Sequence, residues 1–193
     1  MAERPPVRIF LRPMGSPLTI GLSGLAVASL VQSGFDLGWV AKSQASQVGV
    51  ILIAVPFVLQ LIASVFSYLV RDGAVGACTG VLSTTWLAMG LLHIISPGQT
   101  SDALGLLLLS AGGVLALSTI ALVLGKPLPA AVFGLAAVRF GLAGIYELTS
   151  NGTWQDAAGV VGLVVCGLAA VGVFTFELQG MRVGSVTEEP GAE

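Results

Sequence analysis

Charge is what this sequence lacks most: Asp, Glu, Lys and Arg together make up 9% of its 193 residues, against roughly 25% in an ordinary soluble domain. So few charges cannot keep a folded surface in water, and soluble folds are excluded. Cysteine is nearly missing as well. The two present, Cys78 and Cys166, are far apart in sequence and form no metal-binding pair, so they read as small, buried, reduced packing residues. There is no phosphate-binding glycine loop, no metal-ligand cluster and no traceable nucleophile-base constellation. ATP-driven transport by the chain alone and metallo- or serine-type chemistry are therefore unsupported. No enzyme activity and no cofactor are expected, since no soluble domain is available to hold one.

What is present is apolar. Hydrophobic residues make up 55% of the chain and the mean hydropathy is +0.95. Six runs, read as about 16–33, 47–70, 73–96, 102–124, 128–149 and 155–178, approach the roughly 20 residues that cross a bilayer core as helix. They are too long and too continuous for the alternating strands of a membrane barrel. The expected fold is all-α: a polytopic membrane protein with six transmembrane helices in a compact bundle. Three spans per half would give two inverted three-helix repeats.

Around the transmembrane unit at 16–178, a basic tail covers 1–15 and an acidic tail 179–193. Glu188, Glu189 and Glu193 make the latter polar and disordered in expectation. No small-residue cleavage site follows the first span, so it is read as part of the mature protein and not as a signal peptide. With the N-terminus inside, Arg4, Arg8, Arg12, Arg71, Lys126 and Arg182 are cytoplasmic and only Lys42 is outside. That bias places both termini in the cytoplasm of a cell-membrane protein. The sequon Asn151-Gly152-Thr153 is too short a match to be given a role.

The 26 glycines include several within spans at spacings that allow close helix approach: Gly21 and Gly24, Gly76 and Gly80, then Gly134, Gly141 and Gly144. Ala158, Gly162 and Cys166 continue the pattern.

Polar residues within the spans carry the functional reading. Arg139 falls near the bilayer midplane, where an arginine costs about 2.5 kcal/mol or more unless it meets a partner, a carbonyl or water. Its guanidinium fork suits a carboxylate, with Tyr146 two turns along the same face; a structural arginine capping carbonyls or pairing at an interface is the alternative. Gln60, Ser64 and Ser67 form a stripe beside Pro56, which suits either a polar solute path or hydrogen bonding between helices. Thr79, Ser83 and Trp86 share a face of the third span. His93 and Glu147, near span ends, suit either proton exchange or ordinary interfacial solvation. Glu177 reads as a boundary charge.

At the head of the first span, the run Ser16-Pro17-Leu18-Thr19-Ile20-Gly21-Leu22 resembles the NPAPLGL signature of the acetate uptake family, the succinate-acetate permease or YaaH-type group. Pro17, Gly21 and Leu22 match that signature, while Ser16, Leu18, Thr19 and Ile20 depart from it. The six-span layout, the short Arg71-Asp72-Gly73 loop and a Thr/Ser cluster ending in Trp86 are also similar.

The resemblance implies a six-helix protomer assembling as a ring of six, each with its own proton-coupled path for small monocarboxylates or succinate. It places the apolar constriction at Leu25, Leu82 or Ser83, and Val138, without the two aromatics the family has there. On this reading Arg139 attracts the anion, and Gln60, Ser64 and Ser83 supply hydrogen bonds. The expected partners are a small carboxylate, the lipid bilayer and further copies of the chain, with no nucleic acid. A neutral-solute channel for urea or short amides, and a non-transporting membrane interaction protein, are the alternatives.

Overall fold

The computed structural model describes residues 15–186, with side chains described through Gly180. Arg4, Arg8, Arg12, Glu188, Glu189 and Glu193, on which the tail readings rest, lie outside the described residues, as does the side chain of Arg182.

Among the described residues six helices follow in chain order: α1 (Pro17–Asp36), α2 (Lys42–Leu69), α3 (Gly73–Ile95), α4 (Asp102–Leu122), α5 (Pro127–Thr149) and α6 (Gly152–Val186). All six are long and apolar enough to cross a membrane. Their ends follow local chemistry. Proline opens α1 and α5, where its fixed φ suits the first turn and its missing N–H is not needed. Ser101 caps α4, its hydroxyl accepting from the Leu104 N–H at 3.4 Å, with Asp102 beside it in the first turn. Asn151 Oδ1 accepts from the Thr153 N–H at 3.0 Å at the head of α6, which gives the sequon asparagine a capping role. Pro56 leaves α2 with a π-type turn over Ile53–Phe57.

Each helix packs on its neighbours in sequence, and α6 packs back on α1, so the six close a ring. α1, α3 and α5 are the more buried members. They fill the centre with Leu22, Leu25, Leu82, Trp86, Phe133 and Phe140. The first and last described turns, at Gly15–Pro17 and Phe176–Gly180, lie at one face of the ring, called here the terminal face. There the side chains of Lys126 and Asp72 pair across the α2–α3 and α4–α5 connections.

In lipid no hydrophobic force drives helices together, so association depends on close backbone approach and on hydrogen bonds. The tightest crossing joins α2 and α3. A Cβ built on Gly49 would lie 2.5 Å from the Gly90 carbonyl oxygen, and one on Gly90 would lie 2.7 Å from that of Gly49. Gly105 and Gly144 pinch α4 against α5 in the same way, at 3.0 and 2.9 Å. Among the glycines singled out in the sequence, Gly141 faces open space, while Gly21, Gly24, Gly76, Gly80, Gly134 and Gly144 lie on helix contacts. Cys78 is buried as expected, but Cys166 is only half-buried; both are free thiols.

The helix bounds depart from the sequence reading at several places, among them the start of α6, which lies at Gly152 and not 155. α1 runs on to Asp36 instead of stopping at 33, α2 begins at Lys42, and α6 continues past 178 to Val186. The difference in α1 has a clear cause. A lone acid marks a membrane boundary only when nothing neutralises it, and Asp36 has a cation on another helix.

Candidate functional site

Ser29, Gln32, Ser33 and Asp36 stand at i, i+3, i+4 and i+7 on α1 and so share one face. Ring packing turns that face inward, and the first three are buried. Asp36 Oδ2 accepts from Arg139 Nη2 at 3.1 Å, and its Oδ1 accepts from Gln32 Nε2 at 2.8 Å. The Gln32 amide is thereby oriented with its oxygen toward His93, whose Nε2 lies 3.1 Å away and donates when it carries the proton. Phe35 holds the His93 ring edge to face, with centroids 5.0 Å apart. A continuous polar chain therefore runs from Arg139 on α5, through Asp36 and Gln32 on α1, to His93 on α3.

Arg139 is 1% exposed, the most deeply buried cation among the described residues. Its guanidinium carbon lies 5.5 Å from the centre of the Trp86 ring, a cation–π distance. Trp86 packs edge to face on Phe140, with centroids 5.3 Å apart. On the α6 side, Gly162 leaves the space that the guanidinium occupies: a Cβ there would come 2.5 Å from Arg139 Nε and would also collide with the Ser33 hydroxyl. Arg139 Nε, Arg139 Nη1 and Ser33 Oγ have no hydrogen-bond partner among the described residues. Gly162→Ala should therefore push the guanidinium off Asp36 and lower stability by about 1–3 kcal/mol, the usual cost of overpacking. Thermal unfolding of the purified variant in detergent checks this.

Beside the pair, at the face opposite the terminal one, lies a small cavity of about 30 Å³. Its polar lining includes Asp36, Lys42, His93, Tyr146, Glu147 and Gln155. Arg139 does not line it, so Asp36 stands between the cavity and the guanidinium. Glu147 is partly engaged elsewhere, accepting from the Ser101 N–H at 2.7 Å and so fixing the head of α4.

The structure brings Arg139 and Tyr146 to this region, as their shared helix face predicted. The three polar residues expected to serve the path with them are buried, but they are engaged between helices. Gln60 Nε2 donates to the Gly21 carbonyl at 3.3 Å, Ser64 Oγ to Gly76 at 2.8 Å and Ser83 Oγ to Phe57 at 2.9 Å. Pro17 opens α1, Gly21 admits Thr79 and Ala63, and Leu22 is fully buried. Leu25 and Leu82 are buried in the ring, but Val138 is 51% exposed on its outer surface. The constriction reading of Val138 is corrected accordingly: one residue along α5 is about 100° of helical rotation, and the inward position belongs to Arg139. Asp36, Gln32, Ser29 and Ser33 were not picked out. Their helical spacing was the available signal, obscured by ending the span at 33. Among the described residues no cluster of His, Cys, Asp or Glu is placed to hold a metal ion.

Six membrane-length helices in a closed ring around a buried ion pair define a polytopic all-α membrane protein. The fold is similar to a solved one: a structure of the bacterial acetate channel SatP superposes with a TM-score of 0.77, at 19% sequence identity, covering 89% of this chain and 96% of that one. No protein-family profile and no curated protein matches the sequence.

Proposed function

We propose that this protein provides a membrane path for small carboxylates such as acetate or succinate, with Arg139 as the group that attracts the anion. The observation that carries this reading is a fully buried guanidinium, next to a cavity with polar side chains in its lining, with two donor nitrogens that have no partner among the described residues. A guanidinium fork matches a carboxylate in shape and charge, and low surrounding polarity strengthens the match. Beyond it, Leu25, Leu82, Trp86 and Phe140 form an apolar layer that opposes strongly hydrated solutes. The shared fold with an acetate channel supports the same substrate class. Proton coupling, a cell-membrane location with both termini cytoplasmic, and assembly as a ring of six belong to the same proposal.

One observation favours a second reading. Gln60, Ser64 and Ser83 give their hydrogen bonds to helix carbonyls, which weakens a neutral-solute path and suits a bundle whose polar stripes serve association. Uptake of labelled acetate into proteoliposomes under an inward proton gradient decides between the two. Under our proposal, uptake exceeds that of empty liposomes, unlabelled acetate or succinate suppresses it, and Arg139→Gln reduces it to the control level. Unchanged uptake in Arg139→Gln would remove Arg139 from the path. No uptake by folded, inserted protein would favour the interaction protein.

A further inference from the structure

We infer that Asp36 is a built-in competitor for the anion seat: its carboxylate fills the place on Arg139 that a substrate carboxylate takes, and it yields that place by accepting a proton. This rests on the carboxylate reading above and specifies how the site is loaded.

The geometry carries the inference in three steps. First, Asp36 Oδ2 already makes with Arg139 the contact a carboxylate ligand would make, at 3.1 Å. Second, Asp36 lines the cavity while Arg139 lies behind it, so an anion arriving from the cavity meets Asp36 first. Third, Arg139 Nε and Nη1 are without a partner among the described residues, so the guanidinium has donors to spare for a carboxylate once Asp36 yields its place.

Charge balance then requires the proton. The resting pair carries one positive and one negative charge and is neutral. Adding an anion would leave two carboxylates on one buried guanidinium, and a net charge in a poorly polarisable interior is strongly disfavoured. Arginine cannot restore balance because it stays protonated. If one proton from the cavity water binds Asp36 as one anion binds Arg139, the site ends with the same net charge it had before. Protonated Asp36 keeps its hydrogen bond from Gln32 through Oδ1 and can turn its O–H toward the new carboxylate. Gln32 is a positioning residue here, its amide fixed by His93.

Other titratable groups face the same space. Lys42 comes from α2, His93 from α3, Tyr146 and Glu147 from α5, and Asp156 stands next to Gln155 at the head of α6; α4 contributes Leu108 to the lining and no titratable group. The test must separate Asp36 from these.

The experiment is calorimetric titration of the full-length purified protein with sodium acetate, in buffers of different ionisation enthalpy, which counts the protons taken up per acetate bound. The wild type should take up one, and its dissociation constant should rise about tenfold per pH unit wherever Asp36 is ionised. Asp36→Asn should bind acetate with no proton uptake and a flat pH dependence. Acetate should also raise its melting temperature by the same amount at every pH. Proton uptake that persists in Asp36→Asn and disappears in Glu147→Gln would overturn the inference, as would persistence in both, the result expected if neutral acetic acid is the bound species. Acetate binding by the wild type without proton uptake would overturn it too, leaving the carboxylate path standing and needing no variant to fold. Absence of acetate binding by the wild type would overturn both.

Discussion

Asp36→Ala will be among the most destabilising single substitutions in the chain, lowering stability by about 3–5 kcal/mol, the range for breaking a buried ion pair from one side. The reason lies in what remains. Arg139 is 1% exposed and would keep its charge with only the Trp86 ring beside it. Arg139→Met, which keeps volume and removes charge, leaves Asp36 instead, and a carboxylate can escape the same penalty by binding a proton. It should therefore be the milder change, although the pair is lost in both. Combining Asp36→Ala with Arg139→Met leaves no uncompensated charge and should recover most of the loss. The check is a double-substitution cycle of unfolding free energies in detergent. A sum of independent losses would show that the pair is not energetically coupled.

The same pair marks where sequence reading succeeded and where it stopped. Arg139 stood out because a midspan arginine is costly and needs a reason. Its partner was missed because Asp36 sits in the last turn of α1, where an acid reads as a boundary; only the ring closure, which packs α1 on α6 and brings the Arg139 side chain of α5 within reach, reveals the contact. Spacing along one helix can place residues on a shared face, as it did for Arg139 and Tyr146. It cannot tell which face meets a neighbour, and so Val138 was turned inward in expectation and outward in fact. Likewise Gln60, Ser64 and Ser83 were legible as buried polar groups, but whether their hydrogen bonds go to a solute or to the next helix depends on the carbonyls opposite. The count of spans, their lengths and the all-α class came through because hydropathy and bilayer thickness fix them without tertiary contacts.

Gly90→Leu should prevent the native ring from forming, and Gly90→Ala should cost about 3 kcal/mol, the upper part of the usual overpacking range. A Cβ at that position meets the Gly49 carbonyl oxygen at 2.7 Å, with the Ile53 Cγ1 also at 2.7 Å. The Ile53 side chain can turn aside. A backbone carbonyl inside a helix cannot, so relief requires α2 and α3 to separate. Separation would carry the site with it, because His93 is on the same α3 segment and its Cβ lies 3.1 Å from where a Cβ on Gly49 would stand. Drawing α3 away from its neighbours lengthens the 3.1 Å contact between His93 and Gln32, and Gln32 then loses the bond that orients its amide toward Asp36. Gly90→Ala should thus weaken acetate binding as well as stability, although Gly90 touches neither the cavity nor the ion pair. Gly141→Ala is the matched control: nothing lies within 4 Å of a Cβ there, so both stability and acetate binding should stay close to wild type. Melting temperature and acetate affinity, measured on the two variants side by side, test the chain of contacts from helix crossing to binding site. If Gly90→Ala lowers stability but leaves acetate affinity intact, the crossing supports the bundle without setting the geometry of the site.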